Sequence, residues 1–284
     1  MAVLSYYQFQ FGSLVFGAGT PFVVTDISGL EDLPAIRNQD DIKGYNDGMF
    51  TGRDFYGGRS ITFTLNVLAG NGNTAQTNFN LFQAALVPQS FGTSQLSFWL
   101  SPSDTPKVIY GRVRGRATLV NPEYTYGLIR TQVTLFCPDP RYYDATTTSA
   151  PMAPTAAAGR TYNRTYNLVY GGGSQTGTVI VTNLGWATTY PTVTINGPIT
   201  NPTITSNSTN QFITINTTLA AADSLVIDLN NRLVTLNGSP VRNLMAGNSQ
   251  WFGCPPGNTG IGLSGTSTTI GVTAATLTYS SAYV

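Results

Sequence analysis

Histidine is missing from this 284-residue chain, and cysteine occurs only twice. Without histidine there is no Ser-His-Asp or Cys-His nucleophile, no His-ligated zinc and no imidazole general base. The two cysteines, Cys137 and Cys254, fall one in each half of the chain, so two free thiols are expected rather than a disulfide framework. Charge is scarce as well: 10% of residues are charged, against roughly 25% in soluble domains. The net charge of +1 leaves no electrostatic case for nucleic acid or an anionic membrane as the main partner. A surface so poor in charge is a solubility risk for a free monomer, which leads to the expectation that other subunits cover much of it. No uninterrupted run of about 18 apolar residues occurs, so no membrane span is expected. Met1 to Gln10 lack a basic n-region, so no secretory signal is expected and the protein should work without crossing a membrane by its own signal.

Glycine (30), tyrosine (15) and phenylalanine (14), with abundant Thr and Asn, point to β-structure with many turns. Tyr7, Phe9 and Phe11 alternate with glutamines. Ile61, Phe63, Leu65 and Val67 alternate with Thr62, Thr64 and Asn66, the clearest period-2 strand in the chain. Phe22–Thr25, Gln95–Leu100, Lys107–Val120 and Leu128–Cys137 continue the pattern. Between them the period changes: Ala75, Phe79, Phe82 and Leu86 predict one helix over residues 74–87, with Thr74 as N-cap and Pro88 as the stop. Residues 26–48 read as polar and irregular, anchored by Leu30, Leu33 and Ile36, with a turn at Asn46-Asp47-Gly48. In the second half, short strands recur about every ten residues, at Val179–Thr182, Thr192–Ile195, Phe212–Ile215, Leu225–Asp228, Leu233–Leu236 and Thr276–Tyr279. Asn196-Gly197, Asn230-Asn231 and Asn237-Gly238 are the tight turns, and the spacing is that of a β-sandwich.

The two halves meet near Val133–Asp144. Pro138 and Pro140 lack the N–H a ladder needs and hold their neighbours extended. Pro138, Asp139, Pro140, Arg141 and Tyr143 are therefore expected to act as a stiff interdomain hinge. Residues 1–145 form one expected domain, 146–160 a linker rich in Thr, Ser, Ala and Pro, and 161–284 the second domain.

Few constellations carry chemistry. Asn38–Gly48 is acidic and glycine-bearing but misses the calcium-loop spacing, and Lys43 intrudes, so a solvated loop is expected. Gly70–Asn73 and Gly171–Ser174 lack the context of phosphate cradles. Asp223 and Asp228 could serve glycoside hydrolysis only as a facing pair, and each reads as a turn residue. Asn163, Asn207 and Asn216 match the glycosylation pattern but read as turn and strand-edge residues. Trp186, Tyr190 and Trp251 could stack on sugar rings if exposed, and would otherwise be core. Arg112, Arg114 and Arg116 stand at i, i+2 and i+4, which in a regular strand puts all three on one face. That stripe is open to three readings: a solvated face, a subunit interface meeting a neighbour's carboxylates, or a lining for DNA in passage.

Taken in order, the pieces resemble a known family. Gly58-Arg-Ser-Ile-Thr-Phe-Thr-Leu-Asn-Val67, a short helix, Leu96-Ser-Phe-Trp-Leu100, Val108-Ile-Tyr-Gly-Arg-Val-Arg-Gly-Arg116 and Phe136-Cys-Pro-Asp-Pro-Arg-Tyr-Tyr143 are similar to the distal tail (Dit-like) proteins of bacteriophages with siphovirus-type tails. Asn183-Leu-Gly-Trp-Ala-Thr-Thr-Tyr-Pro-Thr-Val-Thr-Ile-Asn-Gly197, Asn201-Pro202 and Trp251–Asn258 extend the likeness through the second half. The resemblance implies an all-β protein with one short helix: an N-terminal split β-barrel-like belt domain and a C-terminal galectin-like β-sandwich. It also implies a homo-oligomeric ring, hexameric in that family, at the distal end of the virion tail and assembled in the host cytoplasm. Such a ring joins the tail tube protein to a tail-tip hub or tail-associated protein, with the tape measure protein as a further contact and DNA only in transit. No catalytic, cofactor-binding or metal residue transfers from the family, and no cofactor is expected. A β-sandwich carbohydrate-binding or adhesin module is the alternative reading, and a glycan-degrading enzyme a third.

Overall fold

The computed structural model describes residues 4–153, 177–266 and 275–284. The chain divides into two compact units, Met1–Ala145 with Val284, and Thr146–Tyr283.

In the first unit the strands are β1 (Gln8–Phe11), β2 (Leu14–Gly17), β3 (Phe22–Ser28), β4 (Ile36–Arg37), β5 (Asp41–Ile42), β6 (Met49–Phe50), β7 (Phe55–Tyr56) and β8 (Arg59–Val67). After helix α1 (Ala75–Ala85) come β9 (Ser94–Trp99), β10 (Lys107–Leu119), the short helix α2 (Pro122–Thr125), β11 (Ile129–Cys137) and β12 (Tyr142–Asp144). The main sheet runs β2-β1-β9-β10-β11-β8-β3. Strand β10 joins its two parts: Lys107–Gly111 pair with β9, and Arg112–Leu119 pair with β11. Gly111 stands at the changeover, where a Cβ would lie 2.7 Å from the Cys137 sulfur.

This sheet is strongly curled. Phe9 on β1 and Phe63 on β8 are four strands apart in the order, about 19 Å in a flat sheet at roughly 4.8 Å per strand. Their ring centroids are nonetheless 5.2 Å apart, and Phe16 on β2 is 5.2 Å from Phe63 and 5.4 Å from Phe9. The end strands β2 and β3 are not paired with each other, so the curl remains a barrel split along one side.

Helix α1 forms as its spacing predicts. The Thr74 hydroxyl accepts from the Thr77 N–H (3.2 Å), and Ala75, Phe79 and Phe82 are buried, with Leu86 at the C-cap. Phe82 stacks on Phe22, and the helix packs against β8 and β11. Gly70–Asn73 closes as a tight turn, with Asn71 and Gly72 both at positive φ.

The second unit contains β13 (Thr148–Met152), β14 (Thr178–Asn183), β15 (Thr192–Asn196), β16 (Ile199–Ser206), β17 (Phe212–Thr214) and β18 (Thr218–Leu219). These are followed by β19 (Ser224–Asp228), β20 (Leu233–Leu236), β21 (Ser239–Pro240), β22 (Gly257–Thr266), β23 (Ala275–Tyr279) and β24 (Ala282–Tyr283). One sheet runs β13-β23-β15-β19-β20-β21 and the other β14-β22-β16-β17, with β18 beside β16. A shared core of aliphatic side chains, among them Val193, Ile204, Ile227 and Leu263, makes this the expected sandwich.

Two expectations need correction. The stretch 146–160 is not all linker, because Thr148–Met152 pair along their length with Ala275–Tyr279 and belong to the second unit. Residues 154–160, like Asn163 and the Gly171–Ser174 loop, lie outside the described residues. Leu33 and Ile36 do not anchor anything; they are exposed, and of the three only Leu30 is buried.

Deleting the ring that closes the curl should cost the first unit about 3–5 kcal/mol. Phe63→Ala is expected to lower the urea midpoint of the first unit's unfolding transition by a corresponding amount, while core changes in the sandwich leave that transition in place.

Candidate assembly interface

The segment Pro138–Tyr143 is bound into the first unit. Asp139 organises it: its carboxylate accepts from the Arg141 N–H (3.1 Å) and the Tyr143 hydroxyl (2.7 Å), and pairs with Arg141 Nε at 3.3 Å. Tyr142 is buried edge-on to Phe98, and β12 pairs with β10 through Lys107 and Val108. Nearly buried Lys107 donates to Asp144 (2.7 Å) and lies 3.2 Å from Asp104. Hence Pro138, Asp139, Pro140, Arg141 and Tyr143 form a fastening inside the first unit, and the passage between units falls later, after Ala145.

Arg59, which the sequence does not single out, is the centre of this fastening. Its side chain is 2% exposed. The guanidinium donates to the carbonyls of Pro140 (3.1 Å), Gly29 (3.1 Å), Asp32 (2.9 Å) and Leu30, and lies over the Tyr142 ring. Burial pulls its pKa down, opposed by the charges of nearby groups. Arginine suits the place because one rigid fork reaches carbonyls on two distant segments at once, residues 29–32 and Pro140.

The arginine stripe is broken. A β-bulge shifts the register of β10 against β11 between Val113 and Gly115, leaving Arg114 as the extra residue. One inserted residue reverses every later side chain. Arg112 therefore pairs opposite Phe136, whereas Arg116 pairs opposite buried Val133, on the other face. Arg116 donates to the Gln83 carbonyl of α1 (3.3 Å), and Arg114 lies over the Phe136 ring. The three do not form one surface.

The other candidates resolve individually. Asp223 accepts from the Ala220 N–H and the Asn237 amide, which hold its carboxyl below the usual range. Asp228 accepts from the Asn230 and Asn231 N–H groups. Both are turn staples. In the 38–48 loop, Asp40 accepts from the Gly52 N–H and the Asn38 amide. Among the described residues, no group of three acidic or cysteine side chains is placed to hold a metal ion. Tyr190 and Trp251 pack against the sandwich core, but Trp186 is exposed.

The feature the sequence left as irregular is a hairpin arm. Strands β4 and β7 pair at its base, β5 and β6 near its tip, with residues 38–40 on one limb facing 51–54 on the other. Not one residue from 35 to 56 is buried. Ile42 (75%), Tyr45 (102%) and Phe50 (62%) all face solvent. Lys43 and Arg53 each cover an aromatic ring, of Phe50 and Phe55.

Comparison with known proteins gives these surfaces a context. Residues 184–283 match the family described as siphovirus-type tail component, C-terminal domain. Among solved structures, the chain is similar to the SPP1 Dit (gp 19.1) protein, described as a paradigm of hub adsorption apparatus in Gram-positive infecting phages. That match has a TM-score of 0.66 at 15% identity and covers 98% of this chain and 99% of that one. It is also similar to a chain of the phage P2 baseplate in its activated conformation with calcium, with a TM-score of 0.54, 12% identity and 96% and 97% coverage. The strontium form of that baseplate gives 0.52 at 12% identity, with the same coverage. No curated protein matches the sequence. Residues 184–283 thus carry a siphovirus-type tail component C-terminal domain, and the chain as a whole shares one fold with the SPP1 protein over nearly its full length.

Two expectations follow from the fastening and the thiols. Arg59→Met should destabilise the first unit by about 3 kcal/mol, since it strands several buried carbonyls, and Arg59→Lys should recover only part of this in a denaturant titration. Burial pushes the thiols of Cys137 and Cys254 up from 9.0 to about 12. Native protein at pH 8 should therefore leave a thiol reagent unreacted until it unfolds. A thiol pKa raised in the folded state favours the fold while the thiol stays neutral, so stability should fall as pH rises from about 9 toward 12.

Proposed function

We propose that this chain is a distal tail protein that assembles with copies of itself into a ring, six-membered as in the family it resembles. The ring links the tail tube protein to the tail-tip hub protein, touches the tape measure protein, and lets DNA pass through. It stands at the distal end of the virion tail and is assembled in the host cytoplasm. The chain acts by contact and performs no catalysis.

One observation carries the reading: the arm of residues 35–56 has no core of its own. An isolated two-stranded hairpin is marginal in water at best, and this one exposes Ile42, Tyr45, Met49 and Phe50. Its order makes physical sense when a neighbouring copy covers it. The unpaired edges of β2 and β3 support the same reading, because an open edge invites pairing or aggregation unless something covers it. A closed ring removes such edges from solvent.

The arm is therefore expected to be needed for assembly and dispensable for folding. Sedimentation of the full chain across concentrations should show a closed oligomer, and particle images should show a ring. Ile42→Asp combined with Phe50→Asp should weaken association by about a hundredfold and leave the melting temperature within a few degrees. A wild-type chain that stays monomeric at every concentration would rule the reading out.

A further inference from the structure

Charge in the first unit is divided between two regions, and neither region balances itself. Residues 26–54 hold seven carboxylates against three cations, Arg37, Lys43 and Arg53. Strands β10 and β11 hold Lys107 and four arginines and no carboxylate. Most of those cations are engaged inside the chain: Lys107 meets Asp104 and Asp144, Arg130 meets Glu123 at 3.1 Å, and Arg116 donates to the Gln83 carbonyl. Arg112 and Arg114 are left, and neither has a carboxylate partner among the described residues.

These two arginines share one place. Arg112 stands directly opposite Phe136 in the register of β10 and β11. The flanking Leu135 and Cys137 are buried, so Phe136 and Arg112 lie on the outward face of the sheet. The Arg114 guanidinium lies over that same Phe136 ring, 5.2 Å from its centroid. Arg114 is exposed, and the Nε of part-buried Arg112 is shut off from solvent without a hydrogen-bond partner in the chain. A guanidinium stacked on an aromatic face keeps its in-plane N–H groups free, and these match a carboxylate two at a time. Two neighbouring cations, one of them partly removed from water, hold an anion more strongly than a fully solvated pair would.

The chain itself carries a suitable anion. Within residues 26–54, Asp32 accepts from the Gly29 N–H, Asp40 from the Gly52 N–H and Asp41 from the Ile42 N–H. Asp47 has no hydrogen-bond or ion-pair partner among the described residues. It is exposed in the Asn46-Asp47-Gly48 turn at the tip of the arm, between β5 and β6. Lys43, the cation of that tip, lies over the Phe50 ring at 5.6 Å. Asp26, Glu31 and Asp54 are also free, but they stand at the base of the arm or before it. No ion pair joins residues 26–54 to β10 or β11 within the chain. Two patches of opposite sign, each unsatisfied in the single molecule, make the head-to-tail contact that a ring needs.

We propose that the arm tip of one copy docks on β10 and β11 of the next, with Asp47 accepting from the Arg112 and Arg114 pair beside Phe136. The inference rests on the self-association reading and names the receiving surface for the arm. A DNA duplex is the other anion that would meet exposed arginines. Its backbone calls for a row of cations, and Arg116 and Arg130, which would extend the row, are engaged elsewhere. A pair of arginines at one ring fits a single carboxylate.

Arg114 and Asp47 are both exposed, so exchanging their charges should leave melting temperatures within a few degrees of the wild type. Arg114→Asp and Asp47→Arg should each weaken association by about tenfold or more at low salt, as read by sedimentation. Mixed in equal amounts, the two variants should reassemble with close to wild-type affinity. In the mixture each Asp47→Arg arm meets an Arg114→Asp surface, and each unaltered arm meets an unaltered surface. An alternating ring with an even number of copies then has every contact complementary. If either variant assembles as the wild type does, or if the mixture stays apart, this contact is wrong while the ring survives. If the wild type never assembles, the self-association reading falls and this one with it. Binding of a random-sequence DNA duplex that is lost in Arg114→Asp and kept in Asp47→Arg would assign the arginines to nucleic acid and overturn the proposal.

Discussion

Closing a sheet on itself without pairing its ends requires side chains to hold the curl, and in the first unit three phenylalanine rings do so. Phe9 and Phe16 come from one end of the strand order and Phe63 from the other, and all three are buried where they meet. The remainder of that unit follows from this contact. Strand β10 must be long enough to serve both parts of the sheet, α1 must lie over the core face of β8 and β11, and the end strands keep an unpaired edge. The arm leaves from the same region, between β3 and β8, with its base held by Arg59 through the carbonyls of Gly29, Leu30 and Asp32.

Charge is used sparingly, and several of the charged side chains are tied to the chain's own backbone or to each other. Asp139, Asp223 and Asp228 each accept backbone hydrogen bonds, and Lys107 is buried against Asp144. Such groups set backbone geometry. The surface also offers exposed apolar side chains on the arm, on the flank of α1 and on the loop after β14. That distribution suits a protein whose work is to hold neighbours in register.

Much of the architecture could be read in advance, wherever one side-chain period governs a segment. The alternation of Ile61, Phe63, Leu65 and Val67 and the helical spacing of Ala75, Phe79, Phe82 and Leu86 reappear unchanged. The turn announced at Asn237-Gly238 also appears where read, with both residues at positive φ, whereas Asn196-Gly197 instead carries the chain from one sheet of the sandwich to the other. Strand β22 escaped notice because its outward positions are Gly260 and Gly262, which locally signal a turn. Strand β13 escaped because Pro151 and the small residues around it look like linker. The arginine stripe was misjudged for another reason: a bulge has no reliable sequence mark, yet it reversed Arg116 relative to Arg112.

By itself, the sequence determined which segments alternate, where the helix starts and stops, that no histidine chemistry exists, and that the surface would be short of charge. These are local or additive properties, settled by neighbours in the chain and by composition. Only the tertiary structure decided that Arg59 is buried, that Asp139 fastens the first unit to itself, that residues 35–56 stand free of any core, and that Trp186 is exposed. Each depends on groups brought together from distant positions, as when the Arg59 guanidinium meets carbonyls of residues 29 to 32 and of Pro140. Such meetings are set by register and sheet curvature, which no single stretch of the chain encodes.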